Sequence, residues 1–507
     1  MFRLPVRLLA AGSSILAAGS VAFAYVTNPF SRFTIVRNTY TARFVGGRLE
    51  TVDHNDRLVL RQHPLWRALA YYTCAVNVLR TRYLTSPRSG ATTVDGVISD
   101  IHALRFDPER LLLISGDQFS ALFVRNLGVF YYPMLDRAIP GDEADWQARQ
   151  LVYLQTVGYA LGVFARQPEL TTTIVATGPR AATCVDIYAY PSDTLYGMLY
   201  AVAALAGVEP ARPVAYGADR HELATGEAAA DLLARYGPAL ARHYATYRKT
   251  VLDPATGLVR TDRPLSGAKD ITRRASAFYD NVILWKTTQL AGRLGLVPVD
   301  EAAQAALKRR ILATFWLPEQ GHFLEDLSPE GIRGGYYSSD WLIVLATGFL
   351  DPADPAERDY FTRSVQHIRA TGVAEPLAVK YQVDTRAHRQ YPVVRLAAPS
   401  YGGDSVWSFW GMEYIKVLLL LHRATGEGAD GGTEESDSHL ESDSYLEEAG
   451  RQLAAYGTAM VRDGGFPEVY DTAGRMLTTP LYRSIRQTGW VIGFEQAREM
   501  YRAAGGH

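Results

Sequence analysis

The chain has 507 residues, of which 48% are hydrophobic and 21% charged, so it is too apolar to be disordered and long enough for one large domain or several average ones. Lysine and arginine total 52 against 53 aspartate and glutamate, and this balance supplies no basic field for nucleic acid. The two cysteines, Cys74 and Cys184, are too few for a disulfide framework or a thiolate zinc site, and we expect neither a metal nor a cofactor.

The N-terminal residues have the pattern of an export signal. Arg3 and Arg7 precede a charge-free, apolar run that extends to Val26. The run is also long enough to be a membrane-spanning helix. We therefore expect residues 1–27 to be a signal peptide or a membrane anchor, the only contact of the chain with a membrane, and the rest to lie outside the cytosol. A buried core helix is the alternative.

Residues 35–507 have mainly helical periodicity, and convincing alternating strands are few. We predict one all-α domain, an (α/α)6 toroid in which twelve helices form six successive hairpins around an inner layer. Residues 426–444 are rich in glycine, serine and acidic side chains, and are predicted to form a flexible acidic surface loop. The predicted helices lie near 62–80, 118–136, 143–166, 192–207, 221–249, 274–295, 300–315, 338–350, 355–371, 405–425, 440–461 and 487–504.

Carboxylates, arginines and aromatic side chains recur where the predicted inner helices begin. Carboxylates can bind sugar hydroxyls and aromatic faces can stack on sugar rings, so these clusters predict one shared carbohydrate pocket. The candidate substrate-binding residues are Asp117, Arg125, Asn126, Tyr190, Asp193, Arg274, Tyr279, Tyr337, Asp340, Trp341, Asp404, Trp407, Trp410 and Trp490.

Each cluster also has a purely structural interpretation. Arg125 could pair with a carboxylate of the core, because an unpaired guanidinium inside an apolar segment is costly. Asp193 could cap the helix that follows it. Asp270, followed closely by two arginines, could belong to a surface salt-bridge cluster, and Glu468 could be a capping or surface residue.

Four segments resemble motifs of the (α/α)6-barrel inverting glycoside hydrolases, the group of glucoamylases, trehalases and processing glucosidases. They are FVRN at 123–126, SGAKDITRR at 266–274, VWSFWGMEYIKVLLL at 406–420, and GGFPEVY followed by RQTGWVIGF at 464–494. The resemblance implies an inverting glycosidase, with Asp270 as the general acid and Glu468 as the general base. It also implies that Arg125 and Asn126 hold hydroxyls of the sugar.

An inverting hydrolase needs a protonated carboxyl at the glycosidic oxygen and an ionised carboxylate that holds water on the opposite face of the sugar. Direct contact of Asp270 with Arg273 or Arg274 would favour its ionised form, so Asp280 is kept as the reserve acid. We expect exo action on an uncharged oligosaccharide or glycoside. The alternatives are a non-catalytic glycan-binding protein of the cell envelope, or a polysaccharide lyase or epimerase on the same fold.

Overall fold

The described part of the chain contains six inner and six outer helical segments, together with one larger sheet. No helix among the described residues is both long enough and apolar enough to cross a membrane. The predicted segment 1–27 and the predicted helix 62–80 lie outside the described residues. The computed structural model describes residues 33–45, 48–59, 87–104, 106–107, 112–113, 115–116, 121–128, 130, 143–165, 167, 170–178, 181–185, 192–208, 226–263, 265, 268–269, 272–426 and 435–506.

The helices alternate along the chain between an outer and an inner layer. The outer helices are α1 (Val94–Leu104), α2 (Glu143–Phe164), α4 (Gly226–Val251), α6 (Glu301–Phe315), α9 (Pro355–Thr371) and α12 (Glu435–Asp463). The inner segments are a 3-10 helix (Val124–Leu127), α3 (Thr194–Leu205), α5 (Phe278–Arg293), a 3-10 helix (Ser339–Leu342) that continues into α8 (Ile343–Thr347), α11 (Ser408–Gly426) and α13 (Val491–Ala503). Two short helices, α7 (Pro329–Gly334) and α10 (Pro392–Ala397), lie in the connections.

Burial separates the two layers. Every residue of α3 is buried, and so are residues 408–421 of α11. Outer helix α6 buries only Ile311 and Phe315, because one side of it faces solvent. The inner helices therefore form the centre of the hydrophobic core, and their first turns are held rigidly by packing.

The ring closes where the first outer helix meets the last hairpin. Arg498 Nη1 of α13 lies 2.5 Å from Asp95 Oδ1 of α1, and His102 Nε2 lies 2.8 Å from Glu495 Oε2. These contacts join residues about four hundred positions apart, as a closed toroid requires.

A five-stranded sheet, which the sequence analysis did not predict, accompanies the helices. The strand order is β2-β1-β7-β6-β5, and β1 packs against helix α2. The other strands form three two-residue pairs, β3–β4, β8–β9 and β10–β11. The strands are β1 (Phe33–Val45), β2 (Arg48–Val59), β3 (Phe106–Asp107), β4 (Leu112–Leu113), β5 (Ala121–Phe123), β6 (Thr173–Gly178), β7 (Ala181–Val185), β8 (Trp316–Leu317), β9 (His322–Phe323), β10 (Val406–Trp407) and β11 (Val469–Tyr470).

Two local predictions are wrong in part. The helix predicted near 118–136 is replaced at 121–123 by strand β5, which pairs with β6, and the 3-10 helix Val124–Leu127 follows it. Residues 131–136 lie outside the described residues. The predicted acidic loop 426–444 is helical from Glu435, where α12 begins.

Candidate active site

All six inner segments begin at the same end of the toroid, and their first turns touch one another around the ring. Asp193 precedes α3, Tyr279 lies in the first turn of α5, and Trp407 directly precedes α11. Trp490 caps α13 and packs against Trp407, with ring centroids 5.9 Å apart. The predicted clusters are therefore brought together by the fold.

Arg125, Asp193 and Tyr279 form a hydrogen-bonded group from three inner segments. Asp193 Oδ2 accepts from Tyr279 OH at 3.1 Å and lies 3.5 Å from Arg125 Nη1. Burial raises the pKa of Asp193, and the nearby Arg125 opposes that rise. The side chain of Asp193 makes no capping bond to α3, so the capping interpretation is wrong. Arg125 does pair with a core carboxylate, as its structural interpretation predicted.

Asp280 is buried next to this group. Its Oδ1 accepts a 2.5 Å hydrogen bond from Ser192 Oγ. Burial raises the pKa of Asp280 to about 7, although Arg274 and the bond from Ser192 both act in the opposite direction. The reserve acid is thus poised to carry a proton near neutral pH, the property that a general acid needs.

Arg274 and Asp340 form a buried ion pair from two further segments. Arg274 Nη1 lies 2.5 Å from Asp340 Oδ2, and Tyr381 OH donates to the same oxygen at 3.3 Å. Arg274 Nε and Nη2 are buried and have no hydrogen-bond acceptor among the described residues. A buried donor without an acceptor is costly, so these two groups are candidates to bind a hydroxyl or another polar group of a ligand.

Aromatic side chains lie between these polar groups at the same end of the toroid. Trp410 meets Tyr279 and Tyr381 edge-on, at 6.2 and 6.4 Å between centroids. Trp407 contacts Tyr381 at 5.2 Å and Tyr401 at 4.9 Å, and its indole nitrogen donates to the Tyr401 carbonyl at 2.7 Å. The indole rings are fixed in orientation, as sugar-stacking rings must be.

Glu468 lies in the connection between α12 and α13. Its backbone carbonyl accepts from Ser408 N at 3.1 Å, which ties the connection to the start of α11. Its half-buried side chain accepts from Tyr401 OH at 3.3 Å. The backbone of Glu468 therefore fixes the connection to the start of α11.

Three further predicted substrate-binding residues, Tyr337, Trp341 and Asn126, are buried and bonded to other side chains of the core. Tyr337 and Trp341 are buried between the layers. Trp341 Nε1 donates to Tyr337 OH at 3.2 Å, and the Trp341 ring packs against Phe361 of outer helix α9. Asn126 donates to Ser115 Oγ at 3.1 Å inside the core. Their role in substrate binding stays a prediction, because Asp193 and Trp410, which line the site, are buried to the same extent.

Four other predicted site residues are Asp404, Asp270, Asp117 and Tyr190. Asp404 is half-buried in the segment before Trp407, and no donor among the described residues reaches its Oδ1. Asp270, Asp117 and Tyr190 lie outside the described residues.

A buried charge network beside the site was not predicted from the sequence. Glu325 accepts from Lys269 at 2.7 Å, from Arg389 at 2.6 Å and from Gln382 at 2.8 Å, and Lys269 Nζ lies 4.7 Å from the Tyr381 ring centroid. Burial lowers the pKa of Lys269 to about 8, while Lys269 and Arg389 bring the pKa of Glu325 to about 2 against its burial. The one signal of this network in the sequence is Lys269, which directly precedes the candidate acid Asp270.

The site combines carboxylates, arginines and fixed aromatic rings, which together suit a polyhydroxylated ligand with flat apolar faces. Among the described residues, no group of three or more His, Cys, Asp or Glu side chains is arranged to hold a metal ion.

No protein-family model and no curated protein matches the chain. Among solved structures, a glucoamylase from Saccharomycopsis fibuligera is similar with a TM-score of 0.54 at 12% identity, over 83% of this chain and 98% of that chain. A mannosylglycerate hydrolase from Thermus thermophilus has a TM-score of 0.43 at 13% identity, over 81% of this chain and 100% of that chain. A cellobiose 2-epimerase from Bacillus thermoamylovorans has a TM-score of 0.46 at 12% identity, over 81% of this chain and 98% of that chain. The glucoamylase comparison confirms the predicted (α/α)6 toroid.

Proposed function

We propose that the chain is a glycoside hydrolase that cleaves an uncharged oligosaccharide or glycoside with inversion at the anomeric carbon. The observation that supports this most strongly is the ring of buried carboxylates, each bound to an arginine or hydroxyl, with fixed tryptophans between them at one end of the toroid. Arg125–Asp193 and Arg274–Asp340 are paired, so these groups add no net charge to the pocket. That balance favours a neutral sugar over an acidic one.

Glu468 is the proposed general base. It is half-buried and its side chain accepts a hydrogen bond from Tyr401 OH, so a water molecule bound to it would lie beside the aromatic wall. Asp270 is the proposed general acid, because SGAKDITRR at 266–274 resembles the acid-bearing segment of trehalases and processing glucosidases and precedes α5 in the sequence. Asp280 is the alternative acid because its pKa lies near 7.

Two substitutions test the assignment. Glu468→Gln and Asp270→Asn should each lower hydrolysis by several orders of magnitude, because each removes a proton-transfer group with little change in shape. Glu447→Gln, an exposed position on outer helix α12, is the matched control and should keep wild-type rates. The substrate panel consists of defined α- and β-linked disaccharides and bacterial surface glycans.

A proton NMR time course on the substrate that is turned over tests the stereochemistry. Inversion is the expected result, and a product that retains the anomeric configuration would contradict the role of Glu468 in activating water. Wild-type rates in both variants would end the assignment. Binding of a glycan without turnover would favour a non-catalytic glycan-binding protein.

We also propose that the protein acts outside the cytosol. This rests on the pattern of Arg3, Arg7 and the apolar run that follows them. Fractionation of cells that express the full chain tests it, and recovery of the protein in the cytosol alone would contradict it.

A further inference from the structure

The segment Thr272–Phe278, which carries Arg274 into the site, is held by hydrogen bonds to two other parts of the chain. Arg273 N donates to the Arg389 carbonyl at 2.8 Å, and Ala275 N donates to Asp326 Oδ2 at 2.9 Å. Phe278 N donates to the Glu325 carbonyl at 3.0 Å. The segment has no regular structure of its own here, so its conformation depends on these outside partners.

Asp326 and Arg389 connect the two supporting segments. Arg389 Nη2 lies 2.8 Å from Asp326 Oδ1, and the same nitrogen donates to the Arg273 carbonyl at 3.2 Å. Asp326 is fully buried and Arg389 nearly so. Each residue therefore contacts the Arg274 segment directly, on opposite sides of Arg274.

Backbone strain coincides with this network. Within the described part of the chain, two residues other than glycine have a positive φ angle, Ser276 at 50° and Arg386 at 38°. Ser276 lies two positions after Arg274, and Arg386 lies three positions before Arg389. Strained residues persist only where surrounding contacts over-determine them, and such strain is concentrated at functional sites.

Stability alone does not account for the network. Fully buried ion pairs add little stability over apolar side chains of the same size, because desolvation offsets their attraction. Lys269, Glu325, Arg389 and Asp326 are all buried and their formal charges cancel. The network leads to Arg274, which has two buried donors, Nε and Nη2, with no acceptor in the part of the chain that the structure describes.

We propose that Asp326 and Arg389 are positioning residues that hold Arg274 in the geometry needed to bind substrate. They touch the backbone of the segment and not the pocket, so they act through Arg274. This role rests on the proposed function wherever turnover is the readout. It adds to that function two residues that lie outside the pocket.

A double-mutant cycle between Asp326→Asn and Arg274→Ala tests the proposal. In the native background Asp326→Asn should lower kcat/KM by about 100-fold, the effect of a displacement of about 1 Å in a binding group. In the Arg274→Ala background the same change should cost about twofold or less, because the residue through which it acts is gone. An equal loss in both backgrounds would overturn the proposal, since a merely structural defect is additive.

Hydrogen exchange separates failure of this proposal from failure of the proposed function. In Asp326→Asn the amide of Ala275 should exchange about tenfold faster, because its bond to a charged acceptor is weakened. The amides of Arg273 and Phe278, which donate to the carbonyls of Arg389 and Glu325, should also exchange faster, because the same segment loses one of its supports. Glu448→Gln, which breaks a part-buried pair with Arg369 in the outer layer, should leave these amides unchanged. Unchanged exchange in Asp326→Asn would overturn the proposal even if no substrate of the wild type is found.

The geometry of Arg389 provides a second variant. Its two terminal nitrogens reach Glu325 and Asp326 at once, and a lysine ammonium cannot reproduce that fork. Arg389→Lys should therefore behave like Asp326→Asn in both measurements. Full activity and native exchange in Arg389→Lys would overturn its positioning role.

Discussion

Asp280 should make the folded protein less stable as the pH rises from acid to neutral. Its pKa is raised from an ordinary 3.8 to about 7 by burial in α5. Below pH 3.8 both folded and unfolded chains hold the proton. Between that pH and about 7 the unfolded chain releases it and the folded chain does not, so the stability contributed by this group is lost across that window.

The size of the effect follows from the shift. Each pKa unit corresponds to ~1.4 kcal/mol of unfolding free energy, so the whole shift lowers that free energy by roughly 4 kcal/mol. About 3 kcal/mol of this loss falls between pH 5 and 8. Asp280→Asn removes the titration and keeps an oxygen that can accept from Ser192. The free energy of unfolding of the wild type, relative to this variant, should therefore fall by about 3 kcal/mol over that range.

Urea denaturation of both proteins at a series of pH values measures this difference. The remaining acids and bases are common to the two chains, so their contributions largely cancel in the comparison. Parallel pH profiles would refute the reasoning, because they would mean that Asp280 ionises alike in the folded and unfolded chains.

Three further predictions concern stability. Gly197→Ala should lower the free energy of unfolding by about 1–3 kcal/mol and disturb the Arg125 segment, because the new methyl group would meet Arg125 Cα and Val124 O at 2.6 Å. Thermal unfolding measures this loss, and Gly90→Ala, which has open space around it, is the control. Glu325→Gln should cost about 3–5 kcal/mol in urea denaturation. A Lys269→Met/Glu325→Leu double variant should recover part of that loss, because it removes the unpaired ammonium and leaves Arg389 paired with Asp326; an equal loss in the double variant would contradict the interpretation. Asp95→Ala should cost less than about 1 kcal/mol, because the Asp95 side chain is 75% exposed; a larger loss of unfolding free energy would show that this pair does more than close the surface.

Local signals predicted several outer helices closely, whereas outer helix α1 (Val94–Leu104) was not predicted. Helix α9 has the predicted bounds, since Asp354 caps it, Pro355 opens it and Gly372 ends it in the left-handed conformation. Helix α5 begins four residues later than predicted, because the residues before it are bonded to distant segments. The five-stranded sheet was missed because its pairing joins β1 to β7, about 150 positions away in the chain.

The candidate site also contains residues that local sequence signals could predict and residues that they could not. Asp193, Tyr279, Trp407 and Trp490 were predictable, because a similar cluster recurs at each inner helix start. Glu325 was not, because its partner Lys269 lies 56 positions earlier with no intervening pattern. Repetition along the sequence identifies one end of the ring, whereas contacts across the ring are visible only after folding.

The contacts that close the ring between α1 and α13 have a consequence for how the protein is made. Residues around the site span positions 125 to 490, so a partly synthesised chain has most of its helices and an incomplete site. Contacts between such distant positions form slowly because a long loop must be closed first. Until α13 reaches α1, the apolar sides of the first and last hairpins stay exposed to water, and during that interval the nascent chain is most prone to aggregation.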